Sequence, residues 1–322
     1  MKLQPWLMPA WHVLADALRT RRLHHALLFG GPHGYGKRAL ADAFATAALC
    51  TQRAADGSAC GTCRSCVLVA AGSHPDLVHV TFELRDDGKP RTELTIDQMR
   101  ALGQRLALSS QFGGLQIAIV DPADAMNPNA ANALLKTLEE PASETIIVLV
   151  ADDPSRLPAT IRSRCQRIDL HAPTHAQALE WLREHGVDAD VAASTLAASM
   201  DNPGQAEDWI EGDALAVRAE CLADLAALSA SRARVAAIAE RWAADRPGVR
   251  LWFAADLARE EARLIGSGRR GALGLTARTE IPKLAAWFAS ANRARGLLST
   301  TLRTELVLLD LLRGWPAQPG KT

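Results

Sequence analysis

The segment from Ala26 to Leu49 constrains the fold more than any other. A short apolar run, Ala26-Leu27-Leu28-Phe29, passes into Gly31-Pro32-His33-Gly34-Tyr35-Gly36-Lys37-Arg38. A helical pattern then runs from about Lys37 to Leu49. This is G-x-x-x-x-G-K set between a strand and a helix. Glycines let the backbone curl so that its N–H groups point at phosphate oxygens, and the helix N-terminus adds a favourable dipole. Gly31, Gly34, Gly36 and Lys37 are therefore candidate phosphate-binding residues, with Lys37 reaching the β- and γ-phosphates.

The rest of the first 170 residues continues the strand–helix alternation. Strands are expected at Leu77–Phe82, Ile117–Val120, Ile146–Val150 and Ile168–Leu170. A hairpin turn is expected at Asp87-Gly88. Thr95 is a plausible N-cap for a helix to about Leu106, and Asn129–Leu138 reads as a helix stopped by Pro141. Such alternation predicts a parallel sheet covered on both faces, with ligands beyond the carboxyl ends of its strands. The phosphate loop and Asp121 both fall there.

The loop is damaged for hydrolysis. Arg38 stands where a Ser or Thr would ligate a metal ion, and Arg cannot. Asp121 ends its strand where a metal-assisting Asp belongs, but Pro122 follows where a Glu would orient water. Asp124 is three residues on and out of position. Phosphoryl transfer depends almost wholly on positioning and charge stabilisation, so little or no intrinsic ATP hydrolysis is expected. Whether ATP or ADP occupies the loop is left open.

Charge narrows the field. The 322 residues carry 36 basic and 36 acidic side chains, and 48% are hydrophobic. A coat protein that binds nucleic acid by bulk charge needs a basic excess, and a disordered chain needs fewer apolar residues. The balance hides a polarity, since residues 1–207 hold 19 basic against 23 acidic side chains and the remainder 17 against 13. The later part is almost entirely helical in pattern, for example Ala214–Ala230 and Arg232–Ala244. There is no secretion-type leader pattern in MKLQPWLMPAW and no apolar run of about 18 residues, so a cytoplasmic chain without membrane spans is expected.

Cytosolic cysteines need another explanation than disulfides. Cys50, Cys60, Cys63 and Cys66 give C-x9-C-x2-C-x2-C. Four thiolates close a tetrahedral Zn²⁺ site, so a structural zinc is expected; an iron–sulfur cluster, a redox cluster or four free thiols are the alternatives. Cys221 lies in an Ala/Leu helix and reads as a small buried hydrophobe. Trp181, Trp209, Trp242, Trp252 and Trp287 fall on helical patterns and read as packing residues. Arg269-Arg270 between two glycines reads as an exposed loop.

Three segments together carry a family likeness: the cysteine cluster after the phosphate-loop helix, Ala131-Asn132-Ala133-Leu134-Leu135-Lys136-Thr137-Leu138-Glu139-Glu140-Pro141, and Arg162-Ser163-Arg164-Cys165. They resemble bacterial clamp-loader subunits, AAA+ proteins of the DNA polymerase III holoenzyme. The likeness covers about residues 1–210 by motif. It implies a RecA-like AAA+ domain at 1–167 with the zinc module at 50–66 inserted, a helical lid at 168–209 and an all-α collar domain at 210–322. The motor subunits of that family (gamma/tau) keep an intact loop, an Asp-Glu pair and a sensor Arg in G-S-x-R. Here Arg38, Pro122 and, within Asp201-Asn202-Pro203-Gly204, Gly204 replace them. The pattern is similar to a stator-type subunit with degenerate nucleotide chemistry, and Pro5-Trp6-Leu7 and His24–Leu28 fit it.

From spacing alone, Arg164 reads as a surface salt-bridge residue like Arg162 or Arg167. The resemblance instead implies an arginine finger offered in trans to a motor subunit's ATP. It further implies gamma/tau and delta subunits as partners, with the sliding clamp and primed DNA reached through the complex. The competing readings are an ATP-hydrolysing motor subunit and a zinc-containing nucleic-acid-binding module on the same scaffold.

Overall fold

A computed structural model describes residues 3–85, 88 and 91–298, and residues 302–316. Asp87 of the expected hairpin turn lies outside them. The chain divides into two compact units, Met1–Ala189 with Asp201–Gln205, and Asp190–Met200 with Ala206–Thr322.

The first unit is an α/β layer structure. In chain order it holds α1 (Met8–Arg19), β1 (Ala26–Gly30), α2 (Lys37–Leu49), α3 (Arg64–Ala70), β2 (Leu77–Val80), α4 (Ile96–Leu106), β3 (Gln116–Val120), α5 (Pro128–Glu139), β4 (Thr145–Ala151), α6 (Ala159–Arg162), β5 (Gln166–Asp169) and α7 (His175–Glu184). The five strands form one parallel sheet in the order β2-β3-β4-β1-β5. Every residue of β1, β3 and β4 is buried, as near-continuous apolar runs in the middle of a two-sided sheet must be, and the polar Gln116 and Thr145 that open β3 and β4 are buried with them.

Alternate strand residues point to opposite faces. Leu28, Val120, Ile147 and Leu149 pack with Met99, Leu102 and Leu106 of α4 and Leu134 and Leu138 of α5. The opposite face lies against α2, which contacts β1, β3 and β4. Local chemistry sets the helix starts. The Thr95 side chain accepts from the Gln98 N–H in a full capping box, and Asn127 accepts from the Ala130 N–H at 2.9 Å ahead of Pro128.

Three expected boundaries shift by more than one residue. The strand at 77 stops at Val80, whose pairing with Val120 is the last of the ladder with β3; Pro122 just beyond has no N–H to extend it. The last strand is Gln166–Asp169, placed by its register against β1. The helix expected from Arg232 begins at Val235.

The second unit is all helix: α8 (Ala189–Ala198), α9 (Pro203–Glu211), α10 (Ala214–Ser229), α11 (Val235–Ala244), α12 (Pro247–Gly266), α13 (Ile281–Leu297) and α14 (Thr304–Arg313), with the ends of α8 and α9 that fall in the first unit belonging there. Its core gathers Trp209, Trp242, Phe253, Trp287 and Trp315 with Cys221, which is fully buried. Buried indole N–H groups find acceptors: Trp242 donates to Asp224 at 2.8 Å and Trp287 to the Leu311 carbonyl at 2.9 Å. Arg250, whose side chain is 3% exposed, pairs with Glu220 and Asp245. Arg269 and Arg270 are exposed. No helix among the described residues is long and apolar enough to cross a membrane.

Candidate functional site

The phosphate loop joins β1 to α2 at the carboxyl end of the sheet. Its curl is intact: Gly31, Gly34 and Gly36 have φ of 144°, 85° and 83°. Lys37 opens α2, and its side chain is only 4% exposed. The ammonium donates to the Gly31 carbonyl at 2.6 Å and the Pro32 carbonyl at 2.7 Å. It also meets Asp152 Oδ1 at 2.6 Å. Asp152 is the first residue past β4, and the pairing of Gly30 with Ala151 brings it beside the loop. His33 Nδ1 approaches the other oxygen of Asp152 at 3.6 Å. Burial raises the Asp152 carboxyl, but the hydrogen bonds of His33 and Lys37 outweigh it and hold it down at about 2.

Arg38 pairs with Asp121, so a guanidinium sits against the carboxylate that a metal ion would use. Burial still pushes the Asp121 carboxyl up, with Arg38 pulling against it. These groups, with Asp42 and His79, line an open cavity of about 420 Å³ beyond β2 and β3. Asp124 is indeed elsewhere. It is buried and accepts from the Asp153 N–H at 2.9 Å, a structural bond.

The far side of the loop is closed by residues 202–204. Asn202 Nδ2 donates to the His33 carbonyl at 2.7 Å, and the Gly204 N–H donates to the Gly34 carbonyl at 3.2 Å. A Cβ at Gly204 would lie 2.5 Å from the Gly34 oxygen, so a sensor arginine has no room there in this arrangement.

Arg164 lies at the opposite end of the same sheet. It follows α6 and precedes β5, so it sits at the amino ends of the strands. Nη2 meets Glu139 Oε1 at 2.6 Å, and Nη1 donates to the Thr160 carbonyl at 2.9 Å. Both partners are partly open to solvent, Arg164 at 37% and Glu139 at 49%. Burial pushes the thiol of the neighbouring Cys165 up to about 11.

The cysteine cluster hangs between α2 and α3. Cys50, Cys60, Cys63 and Cys66 place their sulfurs within 4.8 Å of one another. Separations of 3.6 Å (Cys50–Cys60), 3.9 Å (Cys50–Cys63) and 4.0 Å (Cys60–Cys66) bracket the edge of a tetrahedron with metal–sulfur bonds of about 2.3 Å, which is about 3.8 Å. The four residues can thus hold a metal ion. The Cys66 and Thr51 N–H groups hold the Cys63 thiol down to about 5, and the Thr62 and Cys63 N–H groups lower Cys60. Burial, together with the neighbouring Cys63 and Cys50, pushes Cys66 up to about 12.

Sequence reasoning missed Asp152, Glu139 and Asn202 as partners of the candidate residues. A carboxylate directly past a strand that neighbours the loop-bearing strand faces the loop lysine, but only the strand order reveals that neighbour.

The family model described as "DNA polymerase III, delta subunit" matches residues 7–174. The Pseudomonas aeruginosa DNA polymerase III subunit delta' is 38% identical over 240 residues, spanning 74% of this chain and 70% of that protein. The Escherichia coli K12 subunit delta' is 38% identical over 214 residues, 66% of this chain and 62% of that protein. A Haemophilus influenzae tau/gamma subunit is 33% identical over 169 residues, 52% of this chain but only 23% of that protein. The stronger and longer likeness is thus to the delta' subunits, and the chain belongs to the delta' family of DNA polymerase III subunits.

Proposed function

We propose that this chain is the stator of a clamp loader: it scaffolds the ring of subunits, offers Arg164 in trans to a neighbouring motor subunit's ATP site, and so helps load the sliding clamp onto primed DNA. The observation that carries the reading is the placement of Arg164. It is partly exposed at the amino end of the sheet, while the chain's own phosphate loop lies at the carboxyl end. The five residues of β1 alone separate the two ends by about 16 Å. A guanidinium so placed cannot serve its own loop, but it is available to another subunit. An arginine supplied in trans stabilises charge on the transferred phosphoryl group.

In this reading the partners are gamma/tau motor subunits and a delta subunit, in the cytoplasm. Residues 1–167 form the AAA+ domain, 168–209 a lid and 210–322 a collar that joins the ring. The four cysteines hold a structural Zn²⁺, which the all-thiolate donor set favours. The motor alternative is opposed by Arg38 and Pro122, and by a Lys37 whose hydrogens are all engaged. The nucleic-acid-module alternative is opposed by the lack of a basic excess.

The decisive experiment is reconstitution with motor and delta subunits, comparing wild type with Arg164→Ala. Assembly survives and DNA-stimulated ATP hydrolysis falls; unchanged hydrolysis rejects the arginine finger. Robust ATP turnover by this chain alone rejects the stator. Elemental analysis of the purified chain gives one zinc per molecule, and another metal or none rejects that assignment.

A further inference from the structure

The phosphate loop has kept its shape and lost its vacancy. An ammonium carries three N–H donors. Those of Lys37 meet three acceptors, the Gly31 and Pro32 carbonyls and Asp152 Oδ1, all within 2.7 Å. Two of these acceptors are neutral carbonyls of the loop itself. The third is an anion, and it comes from a different strand. Beside it, Arg38 stands against Asp121. The site therefore contains an anion on its lysine and a cation on its aspartate, the same two charges that a phosphate and its metal ion would bring.

We infer that Asp152 is a built-in occupant of the loop, a carboxylate in the place of a phosphate group, and that this single side chain keeps an otherwise competent oligophosphate site closed. A phosphate cradle needs a curled backbone. This one retains positive φ at all three glycines. Three further contacts, Asn202 to the His33 carbonyl, Gly204 to the Gly34 carbonyl and Trp6 Nε1 to the Tyr35 carbonyl, hold the turn through its carbonyl oxygens. They use none of the loop's N–H groups; that of Gly31 donates to the Ala151 carbonyl at 3.3 Å. His33 also faces Asp152 and adds a second hold on the same carboxylate.

Masking and decay make opposite predictions for the removal of one carboxylate. Without Asp152, the lysine keeps only neutral partners, and a phosphate oxygen outcompetes a carbonyl for an ammonium because it adds the attraction of opposite charges to the hydrogen bond. The inference does not depend on Arg164 acting in trans.

The test is calorimetric titration of the full-length chain with inorganic pyrophosphate and, separately, with ADP. Wild type is compared with Asp152→Ala, Asp152→Asn and the double variant Asp152→Ala/Lys37→Met. Asp152→Asn keeps the volume and an oxygen acceptor for Lys37, so it guards against loss of the fold, which circular dichroism checks. Pyrophosphate binds both single variants at least about tenfold more tightly than wild type, and the double variant loses that gain. ADP follows the same order. Equal pyrophosphate affinity in wild type and a folded single variant overturns the inference. So does a gain that survives loss of Lys37, or a gain confined to ADP, which would place the new contact on the nucleoside.

Discussion

Lys37 and Arg164 are two cations at opposite ends of one sheet, and they are held in opposite ways. Lys37 is 4% exposed and surrounded by three acceptors from its own chain. Arg164 is 37% exposed and leans on one half-exposed carboxylate and one carbonyl. Removing one partner of a buried, hydrogen-bonded pair leaves unsatisfied groups, whereas an exposed pair contributes little. The difference teaches which motif still faces outward. The loop that resembles a nucleotide site is now part of the fold, while the exposed arginine costs the fold little to give to a neighbour.

The contrast can be broken most directly at Arg164. In a loader with one active motor site beside this chain, Arg164→Ala lowers single-turnover hydrolysis there by about 10³-fold, as losses of arginine fingers do elsewhere. The same variant changes this chain's own unfolding free energy by less than about 1 kcal/mol. A rate within a few-fold of wild type would erase the distinction.

Lys37→Met gives the converse. It leaves the trans rate within a few-fold of wild type but lowers stability to urea by about 1–3 kcal/mol, a range discounted because Asp152 is 44% exposed. Unchanged stability would mean that the lysine is not held as its contacts indicate.

A smaller effect appears with acid. Asp152 sits at about 2 in the folded chain against an ordinary 3.8, so its contribution is complete above about pH 4 and is lost as the pH falls toward 2. The stability difference between wild type and Asp152→Asn, measured by urea melts at stepped pH, shrinks over that window. A difference that grows on acidification would contradict the sign.

The smallest expected change is at Glu139. Glu139→Gln alters stability by about 0.2–1 kcal/mol, the ordinary size for an exposed ion pair. A loss of several kcal/mol would show that Arg164 is as firmly built in as Lys37.

Much of this architecture was legible in the residues. The helix Lys37–Leu49 and the helix after Thr95 stand at the expected positions, because a glycine turn and a capping box are local signals. The central strands were found to within a residue because buried runs such as Ile146–Val150 are apolar throughout. The cluster of Cys50, Cys60, Cys63 and Cys66 was readable from spacing alone. The ion pairs were not. Asp152 is 115 positions from Lys37 and Asp121 is 83 from Arg38, and no periodicity links residues so far apart.

The sequence by itself determined the type and order of the elements, the four-thiol cluster and the expectation that Arg38 and Pro122 stand in place of hydrolytic groups, since each depends on residues close in the chain. Only the tertiary structure decided what the surviving charges do. The strand order β2-β3-β4-β1-β5 puts the end of β4 beside the phosphate loop, and so puts Asp152 on Lys37. The parallel direction of the same strands puts Arg164 at the far end, beside Glu139. Charge acts through distance, and distance between remote residues is fixed by the packing of the sheet.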